Sequence, residues 1–192
     1  EPRARVLSLY AYWAIEDLSA WSPYEAHLAA SKPLEVFLDD PSVARVVDNQ
    51  LCRMLLHGDA RIPPRNFIAE DQVDALAEDC VRLLGSFGFV GVQKLGDGMW
   101  RGLSRFFGVE LSPKQVNVTR KVQGAPRCPR NGGALDAETS IALERRTAVD
   151  RRIYRRIVER ATCDAHAAQA LADAAFAAQL VEFGAVLGSQ RG

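Results

Sequence analysis

The chain has 192 residues, 48% of them apolar and 25% charged, with 24 basic residues balanced by 24 acidic ones. These values exclude wholesale disorder and give one domain's worth of chain that can build a core without disulfide or metal staples. Zero net charge excludes a broad, non-specific nucleic-acid or membrane-binding surface, though not a local basic site. Lysine contributes only 4 of the basic residues, an arginine bias associated with GC-rich bacterial genomes, so a bacterial cytoplasmic protein is expected. No apolar run approaches the ~18 residues a membrane span needs. Cys52, Cys80, Cys128 and Cys163 lie far apart with no CxxC pair and no His at ligand spacing. Reduced thiols and no bound metal are therefore expected. The chain opens at Glu1 rather than Met, which predicts either processing or a start part-way through a longer protein.

In chain order, 1–21 reads as a helix, with Pro2 where a first-turn proline is tolerated and Val6, Leu7, Tyr10, Trp13, Ala14 and Leu18 at helical spacing. Ser22 is placed to cap a short helix over 24–30, and 34–38 forms another turn or two. The run 43–56 is apolar enough to be buried, with Asp48, Asn49 and Gln50 in its middle. Gly58, Pro63 and Pro64 make 57–66 a loop. Over 70–84 the face Val73, Leu76, Ala77, Cys80, Leu83 and Leu84 predicts an amphipathic helix stopped by Gly85. Residues 87–93, FGFVGVQ, form the best strand of the chain. A helix over 99–107 follows, capped by Gly96 and Asp97, and helix, strand and helix in close order is α/β grammar. A second short strand is expected at 116–118, a basic loop at 120–133, a helix capped by Asp136, and near-continuous helix from 147 to about 186. Nothing divides the chain, so 1–192 is expected to be one domain.

Two residues of the first helix invite a functional reading. Arg5 and Ser8 are three apart and share a face near a helix N-terminus, where free N–H groups and the dipole favour an anion. A guanidinium and a hydroxyl there suit a phosphate. On the residues alone the local structural role is favoured, since an Arg and a Ser near a helix start are common and Ser8 can simply bond a backbone carbonyl.

The order of residues around them resembles the 3′-phosphate-binding motif of sulfotransferases that use 3′-phosphoadenosine 5′-phosphosulfate (PAPS). Glu1, Pro2, Arg5, Ser8 and Tyr10 fall on it in register, while the motif's leading Arg would fall one place before Glu1 and is absent from the sequence. Asp48, Asn49, Gln50, Arg53, His57 and Gly58 resemble a later stretch of bacterial members. Residues 89–92 with 99–107, then 116–119, then 135–139 with Asp150, Ile153 and Tyr154, are similar to its late strands and C-terminal helices. The likeness spans about 1–160. It departs from the family at Gln93 and Lys94, where relatives carry a Thr–Glu pair, and no Lys-, Gly- and Ser/Thr-containing phosphosulfate loop is present.

The resemblance implies a P-loop-like α/β sulfotransferase fold, of which this chain is the mostly helical C-terminal part carrying one or two short strands. It implies PAPS as donor and a carbohydrate or lipid-linked hydroxyl as acceptor, with this chain alone inactive. Sulfuryl transfer demands in-line positioning, charge stabilisation and removal of the acceptor's proton. Arg5, Ser8, Arg120 and Lys121 would hold the nucleotide. Asn49, Gln50, Arg53 and His57 would face the acceptor, unless they only cap and pair buried backbone. The catalytic base is not assigned.

Two rival readings remain. One is a non-catalytic helical interaction protein built on the same scaffold. The other is an Arg-rich nucleic-acid binder using Arg145, Arg146, Arg151, Arg152, Arg155, Arg156 and Arg160. Against the latter, these arginines alternate with Ile153, Ile157 and Val158, the pattern of a wet face with pairs such as Arg155–Glu159. No nucleic-acid partner is therefore expected, and self-association is left open.

Overall fold

A computed structural model describes residues 1–15, 22–93, 97–111 and 135–162. Helix α1 (Pro2–Ile15) is followed by α2 (Tyr24–Ser31), α3 (Leu34–Asp39) and the short α4 (Ala44–Val47) and α5 (Gln50–Leu55). Then come α6 (Val73–Leu84), α7 (Asp97–Phe107), α8 (Ala137–Arg146) and α9 (Ala148–Thr162).

The architecture corrects the expected fold class. The described residues are mainly helical and contain no strand, so they do not form a P-loop-like α/β fold. Residues 89–92, the core of the expected strand, run without turn or bend and with no positive φ, yet pair with no ladder. A strand exists only through its partner, and the local pattern does not supply one. The chain packs instead against the helix that follows. A Cβ added at Gly88 would lie 2.8 Å from the Phe106 ring, and one at Gly91 2.8 Å from Met99 and Phe89. The second expected strand, 116–118, lies outside the described residues.

Three apolar clusters hold the described residues together, the smallest setting Val92 against Val158 of α9 with Tyr154 and Ile157 beside them. In the first, Val6, Leu7 and Tyr10 of α1 meet Leu28 and Ala29 of α2, Leu34, Phe37 and Leu38 of α3, and Ala142 and Leu143 of α8. Tyr10 is fully buried, meets Phe37 edge-on at 5.2 Å, and donates its hydroxyl proton to the Lys32 carbonyl at 2.8 Å. A large ring thus enters the core with its polar tip satisfied. The second cluster sets Val73, Leu76, Ala77 and Cys80 of α6 against Val149 and Ile153 of α9 and Cys52 of α5. This is the face the heptad spacing of 70–84 requires. Cys52 and Cys80 are free and buried, and hydrogen bonding to Cys80 together with burial pushes the Cys52 thiol up.

Several boundaries have local causes. Asp136 caps α8 as expected, its Oδ1 accepting the Thr139 N–H at 2.7 Å. For α2 the cap position is Pro23 rather than Ser22. The apolar run 43–56 is broken at Asp48 and Asn49, where Asn49 takes a left-handed conformation with φ +49°. Asn tolerates that region better than other non-glycine residues. This break places the candidate site.

Candidate functional site

Three segments distant in sequence meet at the start of α9. Asn49 sits there with all its polar groups engaged. Its Oδ1 accepts the N–H groups of Val149 at 2.8 Å and Asp150 at 3.2 Å, capping α9 from outside. Its Nδ2 donates to Asp48 Oδ1 at 3.1 Å, and its own N–H donates to the Arg146 carbonyl at 2.7 Å. Asp150 returns the favour: Oδ2 and Oδ1 accept the N–H groups of Leu51 and Cys52, each at 2.9 Å, which caps α5. Two helix starts that would otherwise leave buried donors orphaned therefore satisfy each other across about 100 residues of chain.

The charges around this junction are buried with it. Burial pushes the Asp150 carboxyl up to about 6, against the pull of the Cys52 and Leu51 N–H groups and of Arg5, with the Asp48 charge adding to the rise. Burial also raises Asp48, opposed by the Ile68 N–H, Arg53 and Arg146. Arg53 is saturated. Its Nε donates to the Asp48 carbonyl at 2.7 Å, its Nη1 to the Pro63 carbonyl at 2.7 Å, and its Nη2 to Asp48 Oδ2 at 2.6 Å and the Asn66 carbonyl at 2.7 Å. It thereby pins the 57–66 loop. Arg146 lies over the Phe67 ring at 3.2 Å and donates to the Leu38 carbonyl at 3.0 Å.

At the head of α1 the carboxylate of Glu1 accepts the Ala4 N–H at 2.8 Å and Arg3 Nε at 2.7 Å, while Arg3 reaches Glu144 at 3.0 Å. The first-turn position for an anion is thus held by the chain's own side chain. Arg5 turns inward, donating from Nη2 to the Val46 carbonyl at 2.6 Å. Burial lowers its pKa, and Asp150 opposes that. Ser8 stands exposed. The hydroxyl of Tyr154 is buried with no hydrogen-bond partner among the described residues, and burial and the Glu1 charge push it up.

The structure thus brings Arg5, Asn49 and Arg53 to one junction and leaves Ser8 on the surface. Gln50 opens α5, half-buried, and His57 is exposed in the turn before Gly58, whose φ is +88°. Arg120 and Lys121 lie outside the described residues. Asp150, noted in the sequence only as part of the family resemblance, and Arg146, which stands out in no way from the other arginines of its segment, prove central to the junction. Chemically the junction holds helices together, because its donors and acceptors are consumed within the chain.

The arginines of α8 and α9 face the acids of α6 and the turn before it. Arg145 meets Glu70 at 3.4 Å, Arg152 meets Asp74, and Arg156 meets Glu78 at 3.9 Å and Glu159 at 3.7 Å. The expected pairing of Glu159 with Arg155 is taken by Arg156. Beside this ladder a shallow cavity of about 450 Å³ is lined by residues of both signs, among them Glu78, Arg155 and Glu159. Among the described residues no group of His, Cys, Asp or Glu is placed to hold a metal ion, and no helix is long and apolar enough to cross a membrane.

Comparison with protein-family models, with curated proteins and with solved structures finds no match to this chain.

Proposed function

We propose that the chain is the helix-rich part of a PAPS-dependent sulfotransferase that moves a sulfuryl group to a hydroxyl of a carbohydrate or glycolipid. One observation carries this reading. The separate stretches that resemble the family, at 1–10, 48–58 and 135–154, converge on a single junction through Arg5, Asn49 and Asp150. Stretches that are individually weak gain weight when they prove to be parts of one device. In this reading Ser8 contacts the 3′-phosphate and Arg5 acts from behind, holding α1 to the 46–53 segment. No residue is assigned as catalytic, and the chain alone is inactive.

The test is calorimetric titration of the chain with 3′-phosphoadenosine 5′-phosphate. Binding weakened about tenfold or more in Ser8→Ala is the expected result, from the loss of a charge-assisted hydrogen bond. Absence of heat at millimolar nucleotide, or an unchanged affinity in Ser8→Ala, overturns the reading.

A second reading, a helical interaction protein, is favoured by the exposed apolar side chains gathered between residues 87 and 109. The nucleic-acid reading loses support, because Arg145, Arg152 and Arg156 are engaged by acids of the same chain.

A further inference from the structure

Five of the ten large apolar side chains that stand exposed among the described residues are Phe87, Val90, Phe106, Phe107 and Val109. Ring contacts join part of this set: the half-buried Phe89 meets Phe106 at 5.8 Å, and Phe106 meets Phe107 at 5.2 Å, edge-on, while Phe87, Val90 and Val109 flank these rings in the chain. The patch is built rather than loose. Gly88 lets the chain lie on the Phe106 ring, Gly91 on Met99, and Gly102 receives Phe89 at 3.3 Å from where its Cβ would stand. Ser104 ties down the far end, its carbonyl accepting the Val109 N–H at 3.2 Å and its hydroxyl the Leu111 N–H at 3.0 Å.

Beside the patch runs 89–92, straight, with all φ values negative, and with no backbone hydrogen bond to another described residue. Phe89 and Gly91 lie on α7, Val92 is buried against Val158 of α9, and the backbone N–H and C=O groups of 89–92 pair with no described segment. A row of unpaired N–H and C=O groups flanked by exposed apolar side chains is a template for a second strand.

We propose that residues 89–92 pair antiparallel with the same residues of a second copy of this chain, and that Phe87, Val90, Phe106, Phe107 and Val109 of both copies close over the pair. This names the partner of the second reading above and does not depend on the sulfuryl-transfer reading. Area selects the occupant. The five side chains are 38–61% exposed, which amounts to roughly 500 Å² per copy and roughly 1,000 Å² for a two-fold pair, the lower bound of specific interfaces. A two-fold arrangement uses the one patch twice and leaves no edge open. Charge does not select another ligand. At 100° per residue Arg101 and Arg105 fall on the arc of α7 opposite Trp100, Leu103, Phe106 and Phe107.

Sedimentation velocity on the full chain from about 1 to about 200 µM tests the proposal. A small interface predicts a monomer–dimer equilibrium with Kd in the micromolar range, on the order of 1–100 µM. Val90→Pro, which removes a ladder donor, and Phe107→Ser should each weaken it about tenfold or more. Ile141→Ser, a comparably exposed apolar residue on α8, should leave it unchanged. Circular dichroism confirms that each variant keeps its helices. Amide exchange of 89–92 should slow as concentration rises. A chain monomeric throughout overturns the proposal. A dimer as tight in Val90→Pro as in the parent, or one with concentration-independent exchange at 89–92, overturns the strand pairing.

Discussion

Helix α9 carries charge on two sides, and the two sides obey different rules. At its start Asp150, Asp48, Arg5 and Arg53 are enclosed with Asn49, and the polar contacts there are with backbone as much as with opposite charge. Along its outer face Arg152 and Arg156 meet Asp74 and Glu78 in water, each of these four side chains 45–85% exposed. The same residue types are present on both sides. Solvent decides what each is worth: an enclosed group that loses its partner keeps its desolvation cost, whereas an exposed one recovers water.

The largest expected effect lies at the junction. Asn49→Ala removes the acceptor shared by the Val149 and Asp150 N–H groups and leaves a left-handed backbone without the residue that tolerates it. Urea unfolding should show a loss of roughly 2–4 kcal/mol. Asn49→Gly keeps the backbone conformation and loses only the hydrogen bonds, so it should be less damaging by about 1 kcal/mol. A loss in Asn49→Ala no larger than that of an exposed ladder residue would break the distinction between the two sides.

Next in size is a pH dependence that belongs to the junction alone. Asp150 sits at about 6 in the folded chain against an ordinary 3.8. Between those values the folded state holds the proton that the unfolded state has released. The contribution of Asp150 to stability is therefore most favourable below about pH 4 and falls as pH rises through about 6. The change is of the order of 3 kcal/mol. Asp48, also raised, acts in the same direction. Asp59 and Asp79, half-buried, and Asp136, exposed, are held down by hydrogen bonds and act in the opposite one: their stabilisation is present above the unfolded pKa and lost as pH falls. The difference between the parent chain and Asp150→Asn isolates the buried group. The parent should lose stability relative to the variant from about pH 4 to about pH 7, read by urea unfolding at each pH. A difference that stays flat would mean that burial does not raise Asp150, and a difference of opposite sign would place it with Asp59, Asp79 and Asp136.

The sequence patterns that proved sufficient are those whose physics is local. The spacing of Val73, Leu76, Ala77 and Cys80 fixes the buried face of α6, and Asp136 followed by Thr139 fixes the start of α8. The junction needs two helix starts 100 residues apart to find each other, and neither segment records the other's position. An apolar run such as 43–56 reads as continuous, because the break comes from Asn49 meeting α9, not from a glycine or proline. The strand expected at 87–93 fails for the complementary reason: its residues are right for a ladder that no described segment provides. At the candidate site, spacing puts Arg5 and Ser8 on one face. The long Arg5 side chain nevertheless bends to the Val46 carbonyl while the short Ser8 stays at the surface.

The smallest effect is expected on the outer face. Arg156→Ala should cost no more than about 0.5–1 kcal/mol, since each of its acid partners is separately hydrated and lies 3.7 Å or more away. Even that should vanish at about 1 M salt, where screening falls to roughly 3 Å. Three pairs in a row, Arg145–Glu70, Arg152–Asp74 and Arg156–Glu78, could still couple, so the sharper measurement is Arg152→Ala combined with Arg156→Ala. Additive losses within about 0.5 kcal/mol mean independent pairs. A larger joint loss that persists in high salt would mean that the ladder behaves as one enclosed unit, and α9 would then be held on both sides by the same kind of contact.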